Sequence, residues 1–192
     1  MRKLTLAVVY TALALLANSA IAQMDTSAVV QTDIAALRDG DMRKLILHDE
    51  PMPGSDVTFV GFDDSSVSFS DYAGQIVLVN FWATWCAPCR EEMPYLSALQ
   101  AAMGSEDFQV VTIATGRNAL PGMQRFFEEI GVDNLPLHRD PQQTLARDMG
   151  VMGLPVSVLL NRDGQEVGRL IGDADWSSPS AMAIIEALVA AP

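Results

Sequence analysis

Residues 75–82 form a near-continuous apolar run that leads, through Ala83, Thr84 and Trp85, directly into Cys86-Ala87-Pro88-Cys89. Such a run, bounded by Gly74, predicts a strand buried on both faces and therefore a central strand of a covered sheet. In the residues that follow, 88–103, Met93, Leu96, Leu99 and Met103 recur at spacings of three and four, which is one face of a helix stopped at Gly104. The cysteine pair thus falls where a buried strand hands over to a helix. Unpaired amides and a partial positive charge at a helix N-terminus stabilise a thiolate there, which gives Cys86 the place of a nucleophile. Cys89 lies one turn further in on the same face, able to close a disulfide with Cys86 and less open to another protein.

The rest of the chain continues the alternation. A second buried strand is predicted over 108–114 and a helix over 122–130 ending at Gly131. Next come an extended piece at 135–139, a helix over 141–149 stopped by Gly150, and a strand over 155–160. Asn161-Arg162-Asp163-Gly164 is a hairpin signal that turns the chain antiparallel into a strand over 166–171. Ser178 and Pro179 then open a last helix with Met182, Ile185, Leu188 and Val189 as its buried stripe. The expected class is α/β: a mixed central sheet flanked by helices on both faces.

At the other end, Arg2 and Lys3 precede an uncharged stretch, and Ala20-Ile21-Ala22 offers the small residues of a signal-peptidase site. Residues 1–22 are expected to be a signal peptide, or an uncleaved membrane anchor, since the run approaches bilayer-spanning length. In both readings the rest lies outside the cytoplasm. We divide it into an N-terminal extension, 23–55, and one domain, 56–192. Without Arg2 and Lys3 the charged residues are 10 basic and 24 acidic, a net charge of 10 minus 24, or -14. That makes nucleic acid an improbable partner on electrostatic grounds; scattered acidity chiefly keeps an exported domain in solution.

These are the only two cysteines in the chain, so all sulfur chemistry must occur at this pair. Two plainer readings compete with catalysis. A permanent disulfide across so short a loop would remove little unfolded-state entropy. Half of a zinc site completed by His48 and His138 would need ligands far apart in sequence and without ligand spacing. No metal or cofactor is expected beyond the redox-active Cys86–Cys89 disulfide.

With these residues in view, the chain resembles the thioredoxin superfamily, and within it the extracytoplasmic TlpA and ResA branch of disulfide reductases. The resemblance covers about residues 56–190. It rests on Asn80-Phe81-Trp82-Ala83-Thr84-Trp85-Cys86-Ala87-Pro88-Cys89, on Arg90-Glu91-Glu92-Met93-Pro94, and on Gly153-Leu154-Pro155 before a strand. Thr115-Gly116-Arg117-Asn118 and Asp173-Ala174-Asp175-Trp176 further resemble a TlpA subgroup. The resemblance implies a thioredoxin-like fold, a cis Pro155 facing the cysteines, and a Leu154 backbone that pairs with an extended substrate segment. It also implies a central strand–helix insertion in the interval from Cys89 to Pro155, 155 minus 89 or 66 residues.

Thioredoxin has a buried aspartate where this chain has Asn80, and an amide cannot accept the proton that the resolving cysteine releases. Glu92, three residues after Cys89, shares its helical face and falls on the family's active-site glutamate. It is expected to tune the thiols and assist deprotonation of Cys89; an ordinary early-helix Glu favoured by the macrodipole is the alternative. Trp85, Ala87, Pro88 and Leu154 are expected at the substrate surface, with Trp82 either shaping the site or filling the core.

The implied activity is thiol–disulfide exchange on periplasmic proteins, in the direction of reduction. Apocytochrome c and proteins of copper-site maturation are the implied substrates, and a membrane thiol carrier the implied electron donor. A disulfide oxidant or isomerase of the same fold is the first alternative, because reduction potential depends on how far the reduced thiolate is stabilised. A copper-carrying module is the alternative of another class.

Overall fold

The computed structural model describes residues 34–191. The signal peptide or anchor expected at 1–22 lies outside the described residues, as does the start of the extension. Among the described residues no helix is long and apolar enough to cross a membrane.

The apolar run becomes β4 (Ile76–Trp82), all seven residues of which are buried. Its side chains alternate as a strand requires: Ile76, Leu78 and Trp82 enter one core cluster, while Val77, Val79 and Phe81 enter another on the opposite face. β4 sits inside an eight-stranded sheet of order β1-β8-β7-β4-β5-β6-β2-β3. β5 (Phe108–Thr115) lies parallel to it on one side and β7 (Val156–Leu160) antiparallel on the other. β6 (His138–Asp140) extends the parallel part, and β8 (Glu166–Ile171) returns from β7 through the expected hairpin. The 66-residue interval between Cys89 and Pro155 holds β5 and β6, each followed by a helix.

Helices α1 (Ala87–Met103), α2 (Leu120–Ile130) and α4 (Pro179–Ala190) bury their apolar faces in the first cluster. In α1 the buried face is Cys89, Glu92, Met93, Leu96 and Leu99, so the stripe read from the sequence carries a carboxylate in its midst. α2 ends in a left-handed Gly131, with φ of 67°, as the sequence reading expects of a glycine stop. Gly104 stops α1 differently: its φ is -56°, and a Cβ there would stand 2.5 Å from the Gln100 carbonyl oxygen, so close approach is what selects glycine. In α4, Ile185 and Leu188 are buried as expected; Ala181 and Ile184 complete the stripe, while Met182 and Val189 pack at its margin. The short α3 (Thr144–Asp148) covers the opposite face with Leu145 and Ala146.

Two expectations need correction. The helix expected over 141–149 forms only as α3, because the Asp140 carboxylate caps it by accepting from the amides of Thr144 and Ala146, with Gln143 held in the left-handed region. The piece expected at 135–139 becomes a strand only at β6, while Leu135 turns into the core. The sequence reading also leaves 23–55 without regular structure. Here β1 (Ile46–Met52) joins the main sheet as the edge partner of β8. Just before it, a 3-10 turn, Gly40–Lys44, delivers Met42 and then Leu45 fully into the core cluster that also holds Trp176. Two further short strands, β2 (Phe59–Val60) and β3 (Ser66–Val67), extend the sheet beyond β6.

Candidate active site

The parallel run of β4 and β5 ends on the edge where Ala83 starts a turn, with the Cys86 amide donating to the Ala83 carbonyl. Cys86 then takes an extended conformation as N-cap of α1, and its sulfur accepts from the Cys89 amide at 3.3 Å. The two cysteines form a disulfide, their Cα atoms 5.3 Å apart. Cys86 retains 7% exposure and Cys89 none, so an incoming thiolate can meet only the first sulfur. Ala87 and Pro88 occupy the first turn, which holds no acidic residue to offset the positive end of the helix.

Trp85 stands beside this pair with 65% of its surface exposed. With Gly116, Arg117, Pro141 and Gln143 it lines an open pocket of about 440 Å³. Trp82 points the other way: it is fully buried and its ring lies 5.5 Å from Phe127 and 5.7 Å from Phe126, which places it in the core. The Leu154–Pro155 peptide bond is cis, and the Pro155 carbonyl accepts from the Gly172 amide. Pro155 is buried and Leu154 partly so, whereas Met152 just before them is 96% exposed.

Glu92 is 1% exposed. Oε1 accepts from Asn80 Nδ2 at 2.5 Å and Oε2 accepts from the Ala174 amide at 3.1 Å. Asn80 Nδ2 also donates to Ser157 Oγ on the neighbouring strand, and Asn80 Oδ1 is buried without a partner. Burial pushes the Glu92 carboxyl from 4.5 up to about 8, and the negative charge of Asp173 adds to the rise; the two hydrogen bonds and the Lys44 ammonium pull against it. The group is neutral in most molecules at pH 7, yet poised to titrate where thiols do.

Three contributors to this site lie in motifs quoted above, but their roles come only from the structure. Asn118 accepts from both the amide and the hydroxyl of Thr84, at 2.8 and 3.0 Å, and donates to the Thr115 carbonyl, which ties the cysteine turn to the end of β5. Asn80, read above only as a residue unable to take a proton, is a hydrogen-bond partner of the group that can. Within residues 173–176, Trp176 is fully buried and Ala174 presents its amide to Glu92.

The two histidines considered as zinc ligands are engaged elsewhere. His48 Nε2 lies 2.7 Å from Glu166 Oε1, and His138 Nε2 lies 2.9 Å from the Tyr72 hydroxyl. Among the described residues no group of three or more His, Cys, Asp or Glu side chains is arranged to hold a metal ion.

The redoxin family model matches residues 48–185. The thiol-disulfide oxidoreductase ResA of Bacillus subtilis is 30% identical over 122 residues, covering 62% of this chain and 67% of its own. ResA of Bacillus thuringiensis is 29% identical over 111 residues, 58% of this chain, and the chain spans only 63% of that relative's length. Among solved structures, a thiol:disulfide interchange protein of the thioredoxin family from Chlorobium tepidum superposes with a TM-score of 0.60 at 27% identity, covering 73% of this chain and 97% of that one. A DsbF homologue from Corynebacterium diphtheriae gives 0.61 at 26% identity, covering 75% and 90%.

Proposed function

The chain belongs to the redoxin family and has a thioredoxin-like fold, and from that premise we propose that it is a thiol–disulfide oxidoreductase that reduces disulfides in other proteins. The observation that carries the reading is the Cys86–Cys89 pair at the start of α1, one sulfur reachable and the other sealed, with a high-pKa carboxylate on the same helical face.

In the reduced protein the Cys86 thiolate attacks a substrate disulfide. One substrate sulfur leaves as thiolate and the other is held in a mixed disulfide with Cys86. Cys89 must then lose its proton inside the protein. Ionised Glu92 takes it: burial has lifted this carboxyl to about 8, which makes it a stronger acceptor than an ordinary carboxylate. The Cys89 thiolate attacks Cys86 Sγ, expels the second substrate sulfur, and closes the internal disulfide. Two electrons have passed to the substrate, whose two sulfurs leave as thiolates; the Cys89 proton held on Glu92 returns to one of them or to solvent, solvent protonates the other, and a thiol donor must restore the pair.

The exposed Trp85, the pocket beside it and the exposed Met152 ahead of Pro155 favour a protein segment over a small thiol as the substrate. Leu154, Ala87 and Pro88 would complete its contacts. We place the protein in the periplasm and assign it to the reduction of cysteines destined for haem or copper, as the TlpA and ResA resemblance implies; an oxidising compartment creates the need for a dedicated reductant. A membrane thiol carrier would supply the electrons.

Equilibration with defined thiol buffers tests the direction. A reduction potential near thioredoxin's, about -270 mV, supports reduction, whereas one near DsbA's, about -120 mV, would make the protein an oxidant.

A further inference from the structure

The match to the redoxin family starts at residue 48, so the turn Gly40–Lys44 lies ahead of it. Its side chains nevertheless reach the loop that closes over Glu92. Lys44 Nζ donates to the Asp173 carbonyl at 2.6 Å and pairs with Asp41 at 3.0 Å. The other Asp41 oxygen accepts from the Asp175 amide at 3.1 Å. Between those two anchored residues sits Ala174, the residue whose amide donates to Glu92 Oε2. Met42 and Leu45, fully buried in the same cluster as Ala174, Trp176 and Cys89, fix the turn against the body. Ser180 on α4 closes the far side, donating to the Leu37 carbonyl and accepting from the Asp39 amide.

We propose that Asp41 and Lys44 are positioning residues for the redox site, clamping residues 173–175 so that the Ala174 amide stays on the Glu92 carboxylate. This rests on the role given to Glu92 under the proposed function only for its consequence for activity, not for the clamp itself. The groups that act on Glu92 are Asn80 Nδ2 from β4, the Ala174 amide and the Asp173 carboxylate from the loop, and Lys44 from the turn; on its own helix Cys89 shares its buried face. Two of these depend on the turn: the amide through the loop's position, and the ammonium directly. Both favour the charged carboxylate, so loss of either must raise the pH at which Glu92 ionises. Lys44 and Asp41 are each close to half exposed, which lets them be replaced without opening the core.

The test is a titration of the Glu92 carboxyl carbon by NMR in the protein labelled at glutamate, comparing wild type with Lys44→Met, Lys44→Arg and Asp41→Asn. Glu92→Gln identifies the resonance, and far-UV circular dichroism establishes that each variant is folded. Lys44→Met is expected to raise the Glu92 midpoint by about one pH unit, the scale of losing one hydrogen bond to a charged group. Lys44→Arg should restore the wild-type midpoint, and Asp41→Asn, which keeps an acceptor for Asp175 but loses the charge holding Lys44, should fall between. An unchanged midpoint in folded Lys44→Met, or a shift in Lys44→Arg as large as in Lys44→Met, overturns the clamp. Should Lys44→Met fail to fold, Asp41→Asn decides by the same criterion. If the midpoint moves while the pH profile of disulfide reduction stays put, the clamp stands and the role of Glu92 in proton transfer falls instead.

Discussion

Glu92→Gln should make the protein more stable and less active, and the stability gain should depend on pH in a specific way. Below pH 4.5 the carboxyl is neutral in both the folded and the unfolded chain, and its titration contributes nothing. Above that value the unfolded chain gives up the proton, whereas the folded protein keeps it until about pH 8. The unfolded state binds fewer protons across this window, so native stability declines through it and levels off beyond about pH 8. Worked from these two midpoints, the loss is about 3 kcal/mol at pH 7 and about 5 kcal/mol at pH 9, as orders of magnitude. A glutamine carries no such loss. It can also be accommodated: Oε2 must keep facing the Ala174 amide, so the new NH2 group faces Asn80, whose unpartnered Oδ1 can turn to accept from it. Urea unfolding of both proteins from pH 4.5 to 9 measures the difference. The reasoning requires the gap to open with rising pH; a gap constant with pH, or a variant less stable at pH 7 than wild type, would refute it. In the same protein, disulfide reduction at pH 7 should slow by about a hundredfold, the lower end of what a single general base contributes.

Further consequences can be checked separately. With Cys89→Ala, a mixed disulfide with a protein substrate should accumulate on Cys86 and be visible as an intact adduct by mass spectrometry; its appearance on a Cys86→Ala protein instead would reverse the assignment of nucleophile and resolving thiol. Asn118→Ala should destabilise the fold by about 1–3 kcal/mol in urea unfolding, because the Thr84 amide loses its acceptor, and it should slow reduction; no change in either would mean that this tie does not position the cysteine turn. Trp85→Ala should leave stability within about 0.5 kcal/mol, as for other exposed positions, while raising KM for a protein disulfide; an unchanged KM would remove Trp85 from the substrate surface.

The strands that place the cysteines were legible because each is locally complete. β4 is a run of apolar residues whose period and bounding glycine declare it, and β7 and β8 announce their hairpin through Asn161-Arg162-Asp163-Gly164. β1 was not legible: Ile46–Met52 has no buried residue, contains Pro51, and is a strand only because β8 lies alongside it more than a hundred residues later. α3 was overextended for a related reason, since its start is set by the Asp140 carboxylate and not by Pro141. At the site, Glu92 could be singled out by its spacing from Cys89. What tunes it could not, because its hydrogen-bond partners come from 12 residues before and 82 residues after.

The environment of Glu92 joins two properties that would otherwise be separate. A disulfide reductase must move protons with its electrons, and sealing Cys89 from solvent denies it water as a base. An aspartate at position 80 could have accepted the proton; Asn80 cannot, but it can donate, and it uses that donor to hold Glu92. The carboxylate becomes an effective acceptor for a thiol proton only as burial lifts its pKa toward that of the thiol, and each unit of that rise removes about 1.4 kcal/mol of native stability at a pH above both midpoints. Full burial with no hydrogen bonds would carry the pKa past the useful range and cost more stability. The Asn80 and Ala174 donors limit the rise to about 8, so on the proton-transfer role proposed for Glu92 the two donors matter to the chemistry along with the carboxylate they restrain. Removing Glu92 should therefore gain stability and lose rate, whereas removing a donor should lose both.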